Sequence, residues 1–268
     1  MSIEHTQTAS AESRGEAWLE AVKILLDLKD SSAEAFHFVV EVKNPSQSTP
    51  RGRRIEKAVD SFLRKRGSWP LQTVAETLFP ASEYLRNGVT GVYEYPEAVY
   101  PFIRDKNINK WGTYAHRLLH REGADGNPFN PLEQCIGKLK KELARERGTI
   151  RTRYEIDIVD SGFDLSAHDV ARDGNHSWGN LPCMSHVGFQ VRDHERLLLA
   201  ATYRNHYYVE RLLGNLLGLA QLQRFVCDQT GLEPGALVCL SSLAKVDAGS
   251  RWRKSDVKAL VKHCEEIE

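Results

Sequence analysis

The sequence predicts an α/β (α+β) chain folded as a single domain in which helices cover one sheet. Three observations carry this. Segments with apolar residues at helical spacing alternate with short β-branched and aromatic runs bounded by Asn, Pro and Gly. The 268 residues are enough to bury one full core. One helical stretch near residues 207–230 is apolar on most sides, as expected of a helix at the centre of a domain rather than on its rim.

Residues 1–14 are rich in Ser, Thr, Glu and Ala with almost nothing to bury, so the expectation is a disordered tail ahead of a domain spanning 15–268. This tail lacks the apolar core of a signal peptide. From Ala17, the residues Trp18, Val22, Leu25, Leu26 and Leu28 recur at helical spacing, and FHFVVEVKNP then reads as a strand ending at Asn44-Pro45. A polar loop with Arg51, Arg53 and Arg54 leads into the helix IEKAVDSFLRKRG. Two readings of these arginines stay open: a solvated loop, or a group reaching a substrate phosphate.

After Trp69-Pro70, the run LQTVAETLFPASEYLRNG has helical period broken at Pro80. The aromatic-rich piece that follows is loop-like to about Asn109. From Asn130-Pro131 an amphipathic helix sets Leu132, Cys135, Ile136, Leu139 and Leu143 on one face, which makes Cys135 a core residue. RTRYEIDIVDSG alternates as a strand. The polar stretch from Phe163 to Asn180 contains His168, Asp169, Asp173 and His176, whose spacing matches no metal-ligand pattern, so no metal is expected. Strands SHVGFQVRD and RLLLAATYRN, the apolar helix from about Tyr207 to Thr230, the strand ALVCLSSLAKV and a C-terminal helix capped by Ser255 complete the chain.

Composition narrows the function. Lys plus Arg and Asp plus Glu stand at 36 each, so no global field favours nucleic acid, and a nucleic-acid role through Arg51–Arg54 and the helix near Lys138 would require steeply salt-dependent binding. The five cysteines, at 135, 183, 227, 239 and 264, are odd in number and form no CxxC pair, which suits a reducing cytoplasm. No run of some 18 apolar residues suggests a membrane span.

The chemistry concentrates between Leu181 and Asp247. A cysteine follows Leu181-Pro182 at Cys183, an arginine closes a strand at Arg204, an asparagine stands eleven residues later at Asn215, and a Gly-Leu-Glu-Pro-Gly turn spans Gly231 to Gly235. This set resembles the catalytic region of the thymidylate synthase family. The resemblance covers about Ala17 to Asp247 and is specific only from Leu181 onward.

The residue types suit that chemistry. Carbon 5 of a pyrimidine is unreactive until a thiolate adds at carbon 6 and leaves negative density at carbon 5. The thiolate is the active form, so Cys183 needs a positive environment that lowers its pKa, and Arg204 would supply it while holding a phosphate. The carboxamide of Asn215 offers a donor and an acceptor, which suits the O4 and N3–H edge of uracil. In the family an aspartate at this place goes with cytosine substrates, so the asparagine leans toward a uridylate.

The resemblance implies more. The fold would be a mixed sheet backed by helices, and the protein a homodimer acting on a pyrimidine nucleotide monophosphate with 5,10-methylenetetrahydrofolate as one-carbon donor. Glu76 would be the proton relay, although a glutamate there is also an ordinary helix-surface residue. Trp111, ahead of Gly112, would turn the backbone into the site or anchor the core. Arg153, with Arg151, would reach the partner's phosphate site or merely open a strand. Asn205 would be a further substrate contact and Tyr207 would stand where the family's folate-seating acid falls.

The chain also departs from the pattern. Lys245 and Asp247 replace the sugar-binding histidine and tyrosine, Ser241-Ser242-Leu243 replaces Gly-Gly-Asp, and Met184 follows the cysteine where the family has histidine, with His186 close by. These departures keep a second reading open, that of a nucleotide-binding relative without catalysis.

Overall fold

The computed structural model describes residues 6–28, 33–104, 112–123, 125–145, 153–158, 182–247 and 251–268. Strand β1 (Thr8–Ala11) and helix α1 (Arg14–Asp27) come first, followed by β2 (Glu34–Val42), α2 (Pro50–Lys65), α3 (Leu71–Leu78) and α4 (Ala81–Tyr93). Two short helices, α5 (Tyr95–Ala98) and α6 (Tyr100–Ile103), precede α7 (Tyr114–Leu119), the small β3 (Arg121–Glu122) and β4 (Pro128–Phe129) pair, and α8 (Pro131–Leu143). Then come β5 (Glu155–Asp157), β6 (Met184–Arg192), β7 (Arg196–Tyr203), β8 (His206–Tyr207), α9 (Leu212–Thr230), β9 (Glu233–Lys245) and α10 (Lys254–Glu265).

The described strands form a mixed seven-stranded sheet in the order β1-β2-β9-β7-β6-β5, with β8 also on β9. Two connections position everything that follows. Strands β6 and β7 are a hairpin whose turn holds Asp193 and His194 at φ 53° and 58°, the positive values a tight hairpin turn demands. Strand β7 then crosses through α9 to the parallel strand β9, a βαβ unit.

One face of the sheet carries Phe38, Val40, Leu197, Leu199, Ala201, Leu237 and Cys239, all buried beneath the helices. Helix α9 fills the centre of that layer, and Gly231 ends it at φ 77°, the left-handed cap that glycine accepts without strain. Its Gly214 and Gly218 lie one turn apart against α3. A Cβ there would stand 2.6 Å from Val74 Cβ or 2.9 Å from Ala75 O, so only glycine lets the two backbones approach this closely. Trp18 of α1 is fully buried and donates its indole N–H to Tyr208 O at 2.6 Å, tying the first helix to the segment after β8.

Several expectations are corrected. Residues 8–11 are not a loose tail: they pair in parallel with Val39–Val42, extending the sheet by one strand. Arg51–Arg54 belong to the first turn of α2, not to a loop, because Thr49 caps the helix and Pro50 opens it. Arg51 Nε donates to Ile267 O at 2.9 Å and Arg54 to Glu268 O, so these cations hold the C-terminal segment. The aromatic piece after Gly88 is helical through Tyr93 and in α5 and α6. Helix α9 begins at Leu212, five residues later than expected, since His206 and Tyr207 still pair with β9. Ser255 lies inside α10, whose start is closed by the Asp256 carboxylate accepting the Arg253 N–H at 2.7 Å.

Candidate functional site

A cleft of about 240 Å³ opens at the end of β7, where α9 begins. Crevices at the carboxyl ends of strands in βαβ units are where such folds hold ligands. The hairpin register explains its first half. Met184 pairs with Tyr203, so the residues just outside the pair, Cys183 and Arg204, face each other: the Arg204 N–H donates to Cys183 O at 2.8 Å, and the Arg204 guanidinium donates to Pro182 O. Cys183 is half-buried in the cleft wall.

The second half comes from a bend. Tyr203 pairs with Ser241 and His206 with Ala244, so β7 and β8 keep one register along β9 and the chain bends only at Arg204 and Asn205. In an unbroken strand residues three apart face opposite sides. The bend brings both rings inward, stacked at 4.1 Å and 10°. Asn205 is left lining the cleft, and its Oδ1 is buried without a hydrogen-bond partner among the described residues. Asn215, in the first turn of α9 and only 4% exposed, reaches the same cleft with its Nδ2 2.9 Å from His206 Nε2.

The electrostatics differ from the sequence-based expectation at Cys183. Burial pushes its thiol up, and Arg204, Arg211 and Lys245, which each favour the thiolate, only partly offset this. The cysteine is therefore a protonated thiol at neutral pH rather than a preformed thiolate. The other four cysteines are buried, with Cys135, Cys227 and Cys239 pushed up to about 12 and Cys264 to about 11. Tyr114 stands beside Cys183: its hydroxyl accepts the Met184 N–H at 3.2 Å and burial raises it to about 12.

Of the residues singled out from the sequence, Cys183, Asn205, Tyr207 and Asn215 line the cleft and Arg204 stands next to Cys183. Glu76 does not line it. On α3 the residues Val74 and Thr77 face the cleft, and Glu76, roughly 200° around the helix from Val74, turns away. Its Oε1 instead accepts from Ser82 N at 3.0 Å, Ser82 Oγ at 2.5 Å and Gln72 at 2.8 Å, capping α4. Arg153 is exposed, 3.9 Å from the buried Glu142 carboxylate, and away from the cleft. Trp111, Arg151, His168, Asp169, Asp173 and His176 lie outside the described residues, although Gly112 lines the cleft. Among the described residues no cluster of three or more metal-ligand side chains occurs, and no helix is long and apolar enough to cross a membrane.

Sequence reasoning missed Trp69, Tyr114, His206 and Arg211, which also line the cleft. Arg211 lies 4.6 Å over the Trp69 ring, and Lys245 5.0 Å over Tyr207. Tyr114 had a local signal, a Thr at position 113 that caps a new helix three residues beyond Trp111; Arg211 had none.

Comparison with known proteins adds a likeness. The chain is 29% identical over 145 residues to a protein of Methanosarcina mazei, and 27% identical over 134 residues to one of Methanococcoides burtonii. These matches cover 54% and 50% of this chain, and 57% and 52% of those proteins, so the chain spans little more than half the length of either relative. A longer match, 26% identical over 245 residues, covers 88% of this chain and 91% of a protein of Methanothermobacter marburgensis. All three relatives bear the name "Putative thymidylate synthase". No family model matches the chain.

Proposed function

We propose that this protein activates carbon 5 of a pyrimidine nucleotide monophosphate, most simply a uridylate, for transfer of a methyl or hydroxymethyl group. The observation that carries the reading is the convergence in one cleft of a nucleophile (Cys183), two carboxamides (Asn205 and Asn215) and three nearby cations (Arg204, Arg211 and Lys245). The likeness to archaeal relatives of that name supports the same class.

In the proposed step the Cys183 thiol gives its proton to water, the Sγ thiolate bonds to carbon 6, and the carbon 5–carbon 6 π pair moves toward carbon 5 and O4. Asn215 holds the base edge and Arg204 the phosphate, joined by Arg153 from a partner subunit; Asn205 and Trp111 complete the substrate contacts. A bound phosphate would add negative charge beside Arg204, so the thiolate draws its support mainly from Arg211 and Lys245. Glu76 is left out, since its carboxylate caps α4.

A homodimer is supported by the second face of the sheet. Val39, Leu198, Val238 and Leu240 are only partly buried there, Ala200 is exposed, and Phe36 on β2 is 53% exposed. The one-carbon donor that the reading implies is 5,10-methylenetetrahydrofolate, with Tyr207 as its contact. The described cleft lining fits it poorly: it carries no carboxylate for the donor-rich edge of a pterin, and the Trp69 and Tyr207 rings each hold a cation over one face.

A second reading, a nucleotide-binding protein without turnover, is favoured by the upward shift of the Cys183 thiol. Release of the carbon-5 hydrogen from uridine and cytidine monophosphates, ribo and deoxy, with and without the folate, separates the two. Release that disappears in Cys183→Ala supports the transferase. Nucleotide binding with no release from any substrate leaves the binding protein.

A further inference from the structure

Asn215 does not act on its own. Behind it runs a buried polar chain: Asn215 Nδ2 lies 2.9 Å from His206 Nε2, His206 Nδ1 lies 3.1 Å from Ser241 Oγ, and the Tyr208 hydroxyl donates to the same Ser241 oxygen at 3.2 Å. His206 is 1% exposed, and Ser241 and Tyr208 are fully buried. The imidazole is clamped between the Tyr203 ring, stacked at 4.1 Å, and the Tyr208 ring, edge-on at 5.5 Å. Burial lowers its pKa to about 3, so it is neutral under ordinary conditions.

A neutral imidazole has one donor nitrogen and one acceptor nitrogen. If Nδ1–H donates to Ser241, Nε2 must accept, and the amide turns its NH₂ to the histidine and its oxygen toward the cleft. The opposite tautomer puts a proton on Nε2 and requires the amide to turn over. Uracil offers an acceptor at O4 beside a donor at N3, while cytosine offers a donor at N4 beside an acceptor at N3. Turning one carboxamide over therefore exchanges one base for the other, and a buried polar group left facing its own kind discriminates strongly. The Tyr208 hydroxyl occupies one lone pair of Ser241. The Ser241 proton can then go to Nδ1 or to the Cys239 sulfur, which itself lies 3.9 Å from Nδ1. In the arrangement observed the amide NH₂ faces the histidine, which is the pattern in which Nδ1 carries the proton.

We propose that His206 is a positioning residue whose tautomer, set by Ser241 and Tyr208, fixes which end of the Asn215 carboxamide faces the cleft and so which pyrimidine edge is read. This rests on the reading of the cleft as a pyrimidine nucleotide site.

The test is calorimetric titration of the full chain with uridine 5′-monophosphate, cytidine 5′-monophosphate and, as a control blind to the base, ribose 5-phosphate. Wild type is compared with Ser241→Ala, Tyr208→Phe and His206→Gln. The expected result is a wild-type preference for one base that shrinks at least tenfold in Ser241→Ala and His206→Gln, with ribose 5-phosphate affinity held within twofold. Tyr208→Phe removes a single hydroxyl and keeps the test alive should the other variants not fold. A preference unchanged in every folded variant would overturn the role of His206 while leaving the nucleotide site standing. Wild type that binds neither nucleotide would overturn the site itself. Imidazole ¹⁵N shifts give an independent readout: a proton found on Nε2 of His206 would refute the assigned orientation.

Discussion

Replacing Gly214 with alanine tests the close contact of α9 with α3 and the cleft it supports. The new Cβ would stand 2.6 Å from Val74 Cβ and 3.2 Å from Leu71 O. Carbon atoms pack best at ~3.5–4.0 Å, so α3 must retreat by about 1 Å. Overpacking of this kind costs about 1–3 kcal/mol. The gain from alanine in a helix interior is about 1 kcal/mol. Because the obstructing atoms are a Cβ and a backbone carbonyl, which cannot swing aside, the upper part of the cost range applies and the net loss is about 1–2 kcal/mol. Gly137 on α8 supplies the control, since a Cβ there meets nothing within 4 Å. The same substitution at Gly137 should stabilise by about 0.5–1 kcal/mol. Urea unfolding of both variants beside wild type reads the two signs directly. Nucleotide affinity should fall only for Gly214→Ala, because Val74 and Thr77 line the cleft and ride on α3. If Gly214→Ala proves as stable as wild type, the close approach is not a constraint and the reasoning fails.

Three further outcomes are expected. Alkylation by iodoacetamide in the folded protein should fall on Cys183 alone and should still be accelerating above the ordinary thiol value of 9.0, because burial holds that thiol protonated; a rate that levels off near neutrality would mean a preformed thiolate. Stability should fall on acidification. His206 and His116 drop from 6.5 to about 3 and about 4 on folding, so their contributions are present above pH 6.5 and are lost as pH falls, each on the order of 1.4 kcal/mol per pH unit. Asp247, raised from 3.8 to about 6, works in the opposite sense between those values, which leaves a net loss on the order of 1.4 kcal/mol per unit from pH 6 to 4; urea midpoints that stay flat or rise over that interval would contradict it. Finally, Glu76→Ala should lower stability by about 1 kcal/mol, as loss of a helix cap does, without changing nucleotide affinity; loss of binding at unchanged stability would return Glu76 to the site.

The parts of the site that were legible in the sequence are those made by neighbours along the chain. Cys183 meets Arg204 because a hairpin joins them, and Asn215 follows at a fixed distance on the crossover helix. What could not be read depends on distant partners. The direction of Glu76 is decided by Ser82, across the break at Phe79-Pro80. The strand at Thr8–Ala11 forms because Val39–Val42 offers an edge, and four residues carry no periodicity that would announce it. Arg51 and Arg54 were open to a ligand reading until the last two residues of the chain came to rest on them. Tyr114 and Arg211 reach the cleft from elements whose position relative to β6 no local pattern encodes.

The parallel pairing of β7 with β9 also orders events during folding. A hairpin such as β6–β7 closes on the microsecond scale with few residues to gather, about 1–10 μs, and brings Cys183 and Arg204 together by itself. Parallel strands can be joined only by a long crossover, here α9, so their pairing is a slower step dominated by non-local contacts. The carboxamide side of the cleft therefore arrives last and is the first part exposed to loss when α9 loosens. A weakened variant would keep its reactive thiol beside an arginine while no longer telling one base from another.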